Sequence, residues 1–314
     1  MLINVRDMWS ENVALMHKIY VSNIINIEAE RRAPWGSKFL AEFVGRNSSA
    51  ITSGGVDEIR ASILDFEECC KARDVEWRRR SIKKFIRVLD YDRFSRVAGN
   101  GWGAYELCSR AKYKVCPYCQ QCFAMTIVRD DGSRCFRPTL DHFYSKSEYP
   151  FLSLSLYNLI PSCYTCNSSL KGVKDFNKNK HLHPFESDEK IKFSVDISDY
   201  LEGKRTGYSA WKMSVLHDDL CKMQRNSMRT FAIKERYAFV APLLDRFCER
   251  VYQHYFVGSG RYEQVMRGTL FDPESVSRLD FDSSNYKDEL FGKVKMDVLE
   301  EFQKAAAKFG ARRA

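Results

Sequence analysis

The chain has 314 residues, 44% of them hydrophobic and 29% charged, with a formal net charge of +9. That composition excludes a disordered or collagen-like chain, and the length suffices to bury a core without disulfides. No run of about 18 apolar residues occurs, and Met1-Leu2-Ile3-Asn4-Val5-Arg6-Asp7 lacks a basic stretch leading into an apolar one, so the expectation is a cytoplasmic protein without a membrane span.

In chain order the first elements are helices. Residues 7–32 place Met8, Val13, Met16, Ile19, Tyr20, Ile24 and Ile27 at three- and four-residue steps, and Pro34 follows as a stop. Ser53-Gly54-Gly55 marks a loop. Residues 56–73 and 76–97 then read as two more amphipathic helices. The second carries Trp77-Arg78-Arg79-Arg80, Lys83, Lys84 and Arg87, whose ordinary reading is a solvated face and whose alternative is a phosphate-binding one. Gly99-Asn100-Gly101-Trp102-Gly103 breaks the pattern, giving a helical region 1–112. Residues 113–185 hold short β-prone runs. Phe123 to Val128 and Cys135 to Leu140 flank Asp131-Gly132, a hairpin signal. From 186 to 314 the expectation is helix again, with long apolar periodicity over 209–256 and a last amphipathic helix from Asn285 to Phe309. The fold class expected is therefore mainly α, with a small central α+β module.

Charge is uneven along the chain. Residues 1–112 hold 19 basic and 15 acidic side chains, 113–185 hold 9 and 5, and 186–314 hold 22 and 21. The short middle segment has the highest basic excess per residue, a lean toward polyanionic partners. Eleven cysteines, an odd number in a chain without an export signal, read as metal ligands where they cluster. Cys69, Cys70, Cys108, Cys221 and Cys248 fall in helical patterns and read as free thiols.

The clustered cysteines lie in the middle segment. Cys116-Pro117-Tyr118-Cys119 and Cys163-Tyr164-Thr165-Cys166 are C-x-x-C knuckles, and two such turns complete a tetrahedral four-thiolate zinc site. Cys119 and Cys122 form an overlapping pair, and Cys122 and Cys135 flank the hairpin, where a second metal is an alternative. Between the knuckles lie 43 residues, more than a plain zinc ribbon holds, so a folded insert must bring them together. The insert contains Leu140-Asp141-His142-Phe143-Tyr144-Ser145-Lys146 and Tyr157-Asn158-Leu159-Ile160-Pro161-Ser162, and Asn167 follows the second knuckle.

This ordered set resembles the HNH endonuclease family with its ββα-metal fold, over about residues 115–185. The resemblance uses Cys116, Cys119, Cys163 and Cys166 for one structural Zn²⁺. It implies His142 as general base, Asp141 and Asn167 as holders of a catalytic Mg²⁺ or Mn²⁺, and Asn158 as the amide that pins the loop after His142. Elementary chemistry agrees for two of these. An imidazole can accept a proton from water near neutral pH, and a carboxylate offers hard oxygen to Mg²⁺. Arg137, Lys146 and Lys171 are candidate phosphate contacts. His181 and His183 read as packing at the module exit, with ligation as the alternative. The module also resembles the HNH subunits of bacterial anti-phage systems of the Septu and retron-linked types, which implies an ATPase partner. No G-x-x-x-x-G-K-[ST] motif occurs in this chain. The substrate expected is nucleic acid, DNA first and RNA second. The competing expectation is a catalytically inactive, zinc-stabilised binding or scaffold subunit.

Overall fold

The computed structural model describes residues 2–32, 34–97, 101–186, 188–206, 212–257 and 279–310. Helix dominates, with three small two-stranded sheets. The N-terminal region folds as α1 (Glu11–Ala29), α2 (Lys38–Arg46), α3 (Ser48–Thr52), α4 (Val56–Lys71), α5 (Val75–Val88), α6 (Tyr91–Arg96) and α7 (Ala104–Ser109). The side chains of Ser10 and Ser37 cap α1 and α2. Asp74 caps α5 by accepting the Trp77 N–H at 2.6 Å. The helix expected over 76–97 is two helices, because Asp90 accepts the Arg93 N–H at 2.9 Å and starts α6 afresh. These helices bury an aromatic nucleus of Phe43, Phe66 and Phe85. Phe151, from the central segment, inserts into it with its ring 5.2 Å from Phe43 and 5.1 Å from Phe66.

In the centre, β1 (Ile127–Val128) and β2 (Arg134–Phe136) form the expected hairpin, turning at Gly132, whose φ of +78° is open to glycine. β3 (Thr139–His142) pairs antiparallel with β4 (Leu159–Ser162), setting Asp141 opposite Ile160 and His142 opposite Leu159. A short helix, Thr165–Lys171, follows β4 with π winding.

The C-terminal region departs from expectation. β5 (Lys192–Val195) pairs antiparallel with β6 (Met213–Leu216), and α8 (Ile197–Thr206) lies between them in sequence. The segment expected to be helical over 209–256 thus begins with a strand. It then forms α9 (Lys222–Thr230) and α10 (Ile233–Tyr252), separated at Ala232, whose φ is +47°. Residues expected to open the last helix at Asn285 form a 3₁₀ turn, Ser283–Asp288, and α11 runs over Gly292–Gly310. Its Asp297 and Glu301 carboxylates accept the N–H groups of Phe193 (2.9 Å) and Val195 (2.6 Å), closing an otherwise open strand edge.

One buried apolar cluster runs from Leu2 to Phe302. The chain start locks onto the centre, with the Leu2 and Ile3 N–H groups both 3.3 Å from the Pro117 carbonyl. Arg60 of α4 forks onto Glu186 with two contacts of 2.5 Å. Among the described residues no helix is long and apolar enough to cross a membrane.

Candidate metal cluster and catalytic cleft

The two knuckles meet. Sγ atoms of Cys116, Cys119, Cys163 and Cys166 all lie within 4.8 Å of one another, and all four residues are buried. A tetrahedral zinc with bonds of about 2.3 Å sets its sulfurs about 3.8 Å apart, so this donor set fits one Zn²⁺ after slight contraction. Local geometry explains the approach. The Cys119 and Gln120 N–H groups fold back on the Cys116 carbonyl (3.3 and 2.8 Å), with Gln120 at φ +48°. The Cys166 N–H points at Cys163 Sγ at 3.4 Å and the Gln121 N–H at Cys119 Sγ at 3.5 Å. Hydrogen bonds from the neighbouring thiols, Cys116 first, hold Cys119 well below the ordinary thiol range, while burial pushes Cys116 up. Arg236 of α10 donates to Cys166 Sγ at 3.4 Å, and the Tyr237 hydroxyl donates to the Cys119 carbonyl at 2.7 Å. Gln120, fully buried, accepts the Lys293 N–H at 2.6 Å and donates to the Tyr286 carbonyl at 2.8 Å, tying the first knuckle to the start of α11.

Cys122 lies beside the cluster, hydrogen-bonded to Cys119, while Cys135 is exposed on β2. The alternative of a Cys122–Cys135 metal across the hairpin therefore fails. The strands between them begin only at Ile127, which leaves Cys122 folded back with its carbonyl 2.9 Å from the Cys116 N–H.

Beside the cluster opens a cleft of about 440 Å³. Asp141, His142 and Asn167 line it together with Tyr91, Arg137 and Lys146. Asp141 and His142 are neighbours on β3, and both reach the cleft at the strand end. The His142 Nε2–H donates to the Ser153 carbonyl at 2.9 Å, because a carbonyl can only accept. That bond leaves Nδ1 as the lone-pair nitrogen. Burial pushes His142 down to about 3, and the Tyr91 ring meets it edge-on at 4.4 Å.

Asn158 is fully buried and pins the loop after His142. Its Oδ1 accepts the Tyr144 N–H at 2.8 Å, and its Nδ2 donates to the Tyr144 and Leu152 carbonyls, each at 3.1 Å. Asn167 is half-buried in the first turn of the short helix.

Lys171 departs from the reading of a phosphate contact. It is 4% exposed, with its ammonium 2.5 Å from Asp141 Oδ1 and also donating to the His142 carbonyl. Wider π winding, with the Gly172 N–H reaching back five residues to the Asn167 carbonyl at 2.9 Å, brings that lysine under β3. Arg137 donates to the Pro138 carbonyl (2.8 Å) and Ser95 Oγ (2.7 Å). Lys146 is exposed, 4.5 Å above the Tyr91 ring. His183 is buried against Phe143 at 4.0 Å and accepts the Phe185 N–H at 3.2 Å. His181 stacks on Phe176 at 3.7 Å and bonds Thr230 Oγ1 at 2.9 Å.

Sequence reasoning missed Tyr118, whose hydroxyl donates to Asp141 Oδ2, and Tyr91. Tyr118 lay in plain view between two knuckle cysteines. Tyr91 carries no sequence signal. The hard oxygens of Asp141 and Asn167 suit Mg²⁺ or Mn²⁺ in kind, and the Lys171 ammonium is a cation standing on one of them. The chain matches no protein-family model, no curated protein and no solved structure.

Proposed function

We propose that this chain is a metal-dependent HNH-type endonuclease that hydrolyses phosphodiester bonds of nucleic acid. The observation that carries the reading is the convergence of Asp141, His142 and Asn167 on one basic-rimmed cleft next to the four-thiol cluster. A zinc ribbon alone accounts for the thiols but not for that convergence. His142 takes a proton from water at Nδ1, since Nε2–H is committed to Ser153. Asn158 holds the loop that carries Ser153 and so the imidazole. Arg137 and Lys146 on the rim attract phosphate. Asp141 and Asn167 are the residues that would hold Mg²⁺ or Mn²⁺, which when bound neutralises charge on the phosphate and the leaving oxygen. Zinc on the four cysteines is structural. Products carry 5′-phosphate and 3′-hydroxyl ends. DNA is the first substrate and RNA the second, and an ATPase partner belongs to the same reading.

A supercoiled plasmid and a structured RNA, each incubated with Mg²⁺ and Mn²⁺, test this. The expected outcome is cutting by wild type and a loss of at least about 100-fold in His142→Ala. One observation favours a second reading, an inactive binding module: Lys171 already neutralises Asp141. That reading expects one zinc per chain and nucleic-acid binding with no cutting, alone or with an ATPase partner and nucleotide.

A further inference from the structure

A second cleft, of about 520 Å³, opens along α5. Arg80, Lys83, Lys84 and Arg87 line it beside Trp35 and Trp77, and no acidic side chain does. Positions 80, 83, 84 and 87 share one helix face because they repeat at three- and four-residue steps. Neighbouring cations are neutralised: Arg78 pairs with Glu148, Arg79 with Glu76, and Lys84 with the buried Glu28. Arg80, Lys83 and Arg87 are exposed, and among the described residues no carboxylate pairs with them. A solvated helix face accounts for their exposure. It does not account for three like charges in one row with no acid among them, an arrangement that costs helix stability.

The row ends close in sequence to the cleft of His142. Arg87 lines the basic cleft, and Tyr91, four residues on, lines the cleft of His142. Between them the Leu89 carbonyl accepts Ser153 Oγ at 2.6 Å, and the carbonyl of that same Ser153 holds His142. From Arg80 to Arg87 the helix rises about 10 Å. That matches about three base-pair steps of 3.4 Å.

We infer that this face of α5 is a track for the sugar-phosphate backbone of the nucleic acid whose scissile phosphate sits at His142. The inference rests on the nuclease reading for its destination and on the uncompensated cations for its chemistry. Arg80, Lys83 and Arg87 hold phosphates of one strand across those three steps and fix the angle at which the strand enters the cleft.

The test is fluorescence anisotropy with a 20-base-pair duplex and a single strand. It uses the full chain carrying His142→Ala, without added Mg²⁺ or Mn²⁺, over a salt series. Adding Arg80→Gln, Lys83→Gln and Arg87→Gln is expected to weaken binding at least tenfold. The log–log salt slope should become shallower by about 2.7 for duplex and about 2.1 for single strand, the release expected for three phosphate contacts. A control with the same charge change, Lys222→Gln, Arg229→Gln and Lys234→Gln on α9 and α10, is expected to leave the slope near its original value. Matching melting temperatures establish that both triples are folded. An unchanged slope in the α5 triple, or an equal loss in the control, overturns the track. So does retention on anionic lipid vesicles that depends on Arg80, Lys83 and Arg87 while the anisotropy does not. If wild type cuts nothing but the α5-dependent slope remains, the nuclease reading falls and the track stands.

Discussion

Lys171 occupies the carboxylate on which the proposed metal ion would have to sit. Its ammonium and the Asp141 carboxylate are 4% and 2% exposed, so each is the other's main compensation. Removing one partner of such a pair leaves a buried charge alone, at about 3–5 kcal/mol. Lys171→Met should therefore lose about that much stability in metal-free buffer. Mn²⁺ should then raise its melting temperature more than it raises that of wild type, which a thermal-shift titration would read. Equal Mn²⁺ responses would remove Asp141 from the cation site. That Asp141 and His142 share a cleft was expected from their chemistry, and that Asn158 pins the loop after them was expected from the resemblance. The partner of Asp141 was not. A lysine just before a glycine, beyond a metal knuckle, reads as surface cation, and only the π winding of Thr165–Lys171 turns it inward. Tyr118 was visible but passed over for a related reason, since a tyrosine between two cysteines of a knuckle reads as turn filler.

At the scale of elements, the helices of the first hundred residues lie where apolar periodicity expects them, although α1 exposes Ile19 and Ile27 and buries His17 and Glu28 instead, whereas the β5–β6 pair does not announce itself. Each strand has four residues, and short apolar runs fit a helix as well as a strand. Their pairing is also non-local, with α8 between them, so no hairpin turn marks it. α11 supplies what the local sequence lacks. Asp297 accepts the Phe193 N–H and pairs with the buried Lys293, while Glu301 accepts the Val195 N–H. Asp297→Ala strips a strand donor of its acceptor and strands a lysine, so it should cost about 3–5 kcal/mol in urea unfolding. Hydrogen exchange should quicken first at Phe193. A loss below about 1 kcal/mol would mean that β5 is held by its apolar face alone.

Over the whole molecule, buried histidines set an acid limit. Burial pushes His17 and His181 each down to about 4 and His183 well below its ordinary value. His17 donates through Nε2 to the Leu154 carbonyl (2.6 Å) and accepts Trp102 Nε1 at Nδ1 (3.2 Å), so protonation breaks a contact as well as charging the core. A depressed histidine means the unfolded chain binds the extra proton. Stability is thus full above about pH 6.5 and falls as pH drops toward 4. His17 alone costs about 2 kcal/mol at pH 5. Urea midpoints from pH 7.5 to 4.5 should fall across that window, and a His17→Gln variant should show a shallower fall. Stripping zinc with a thiol-directed mercurial should release about one ion per chain. It should also expose the amides of Phe291 and Lys293 along with the knuckle itself, since Gln120 joins the two. Release confined to the knuckle, with α11 still protected, would show that the helix stands without it.

Tyr118 stands between Cys116 and Cys119 in the chain, yet its hydroxyl holds a carboxylate on β3. The aim of Asp141 is thereby inherited from the closure of the first knuckle. Whatever loosens the turn between Cys116 and Cys119 therefore also frees one oxygen of that carboxylate. An ion held by the four cysteines would thus reach the cleft through a phenol, without touching anything in it.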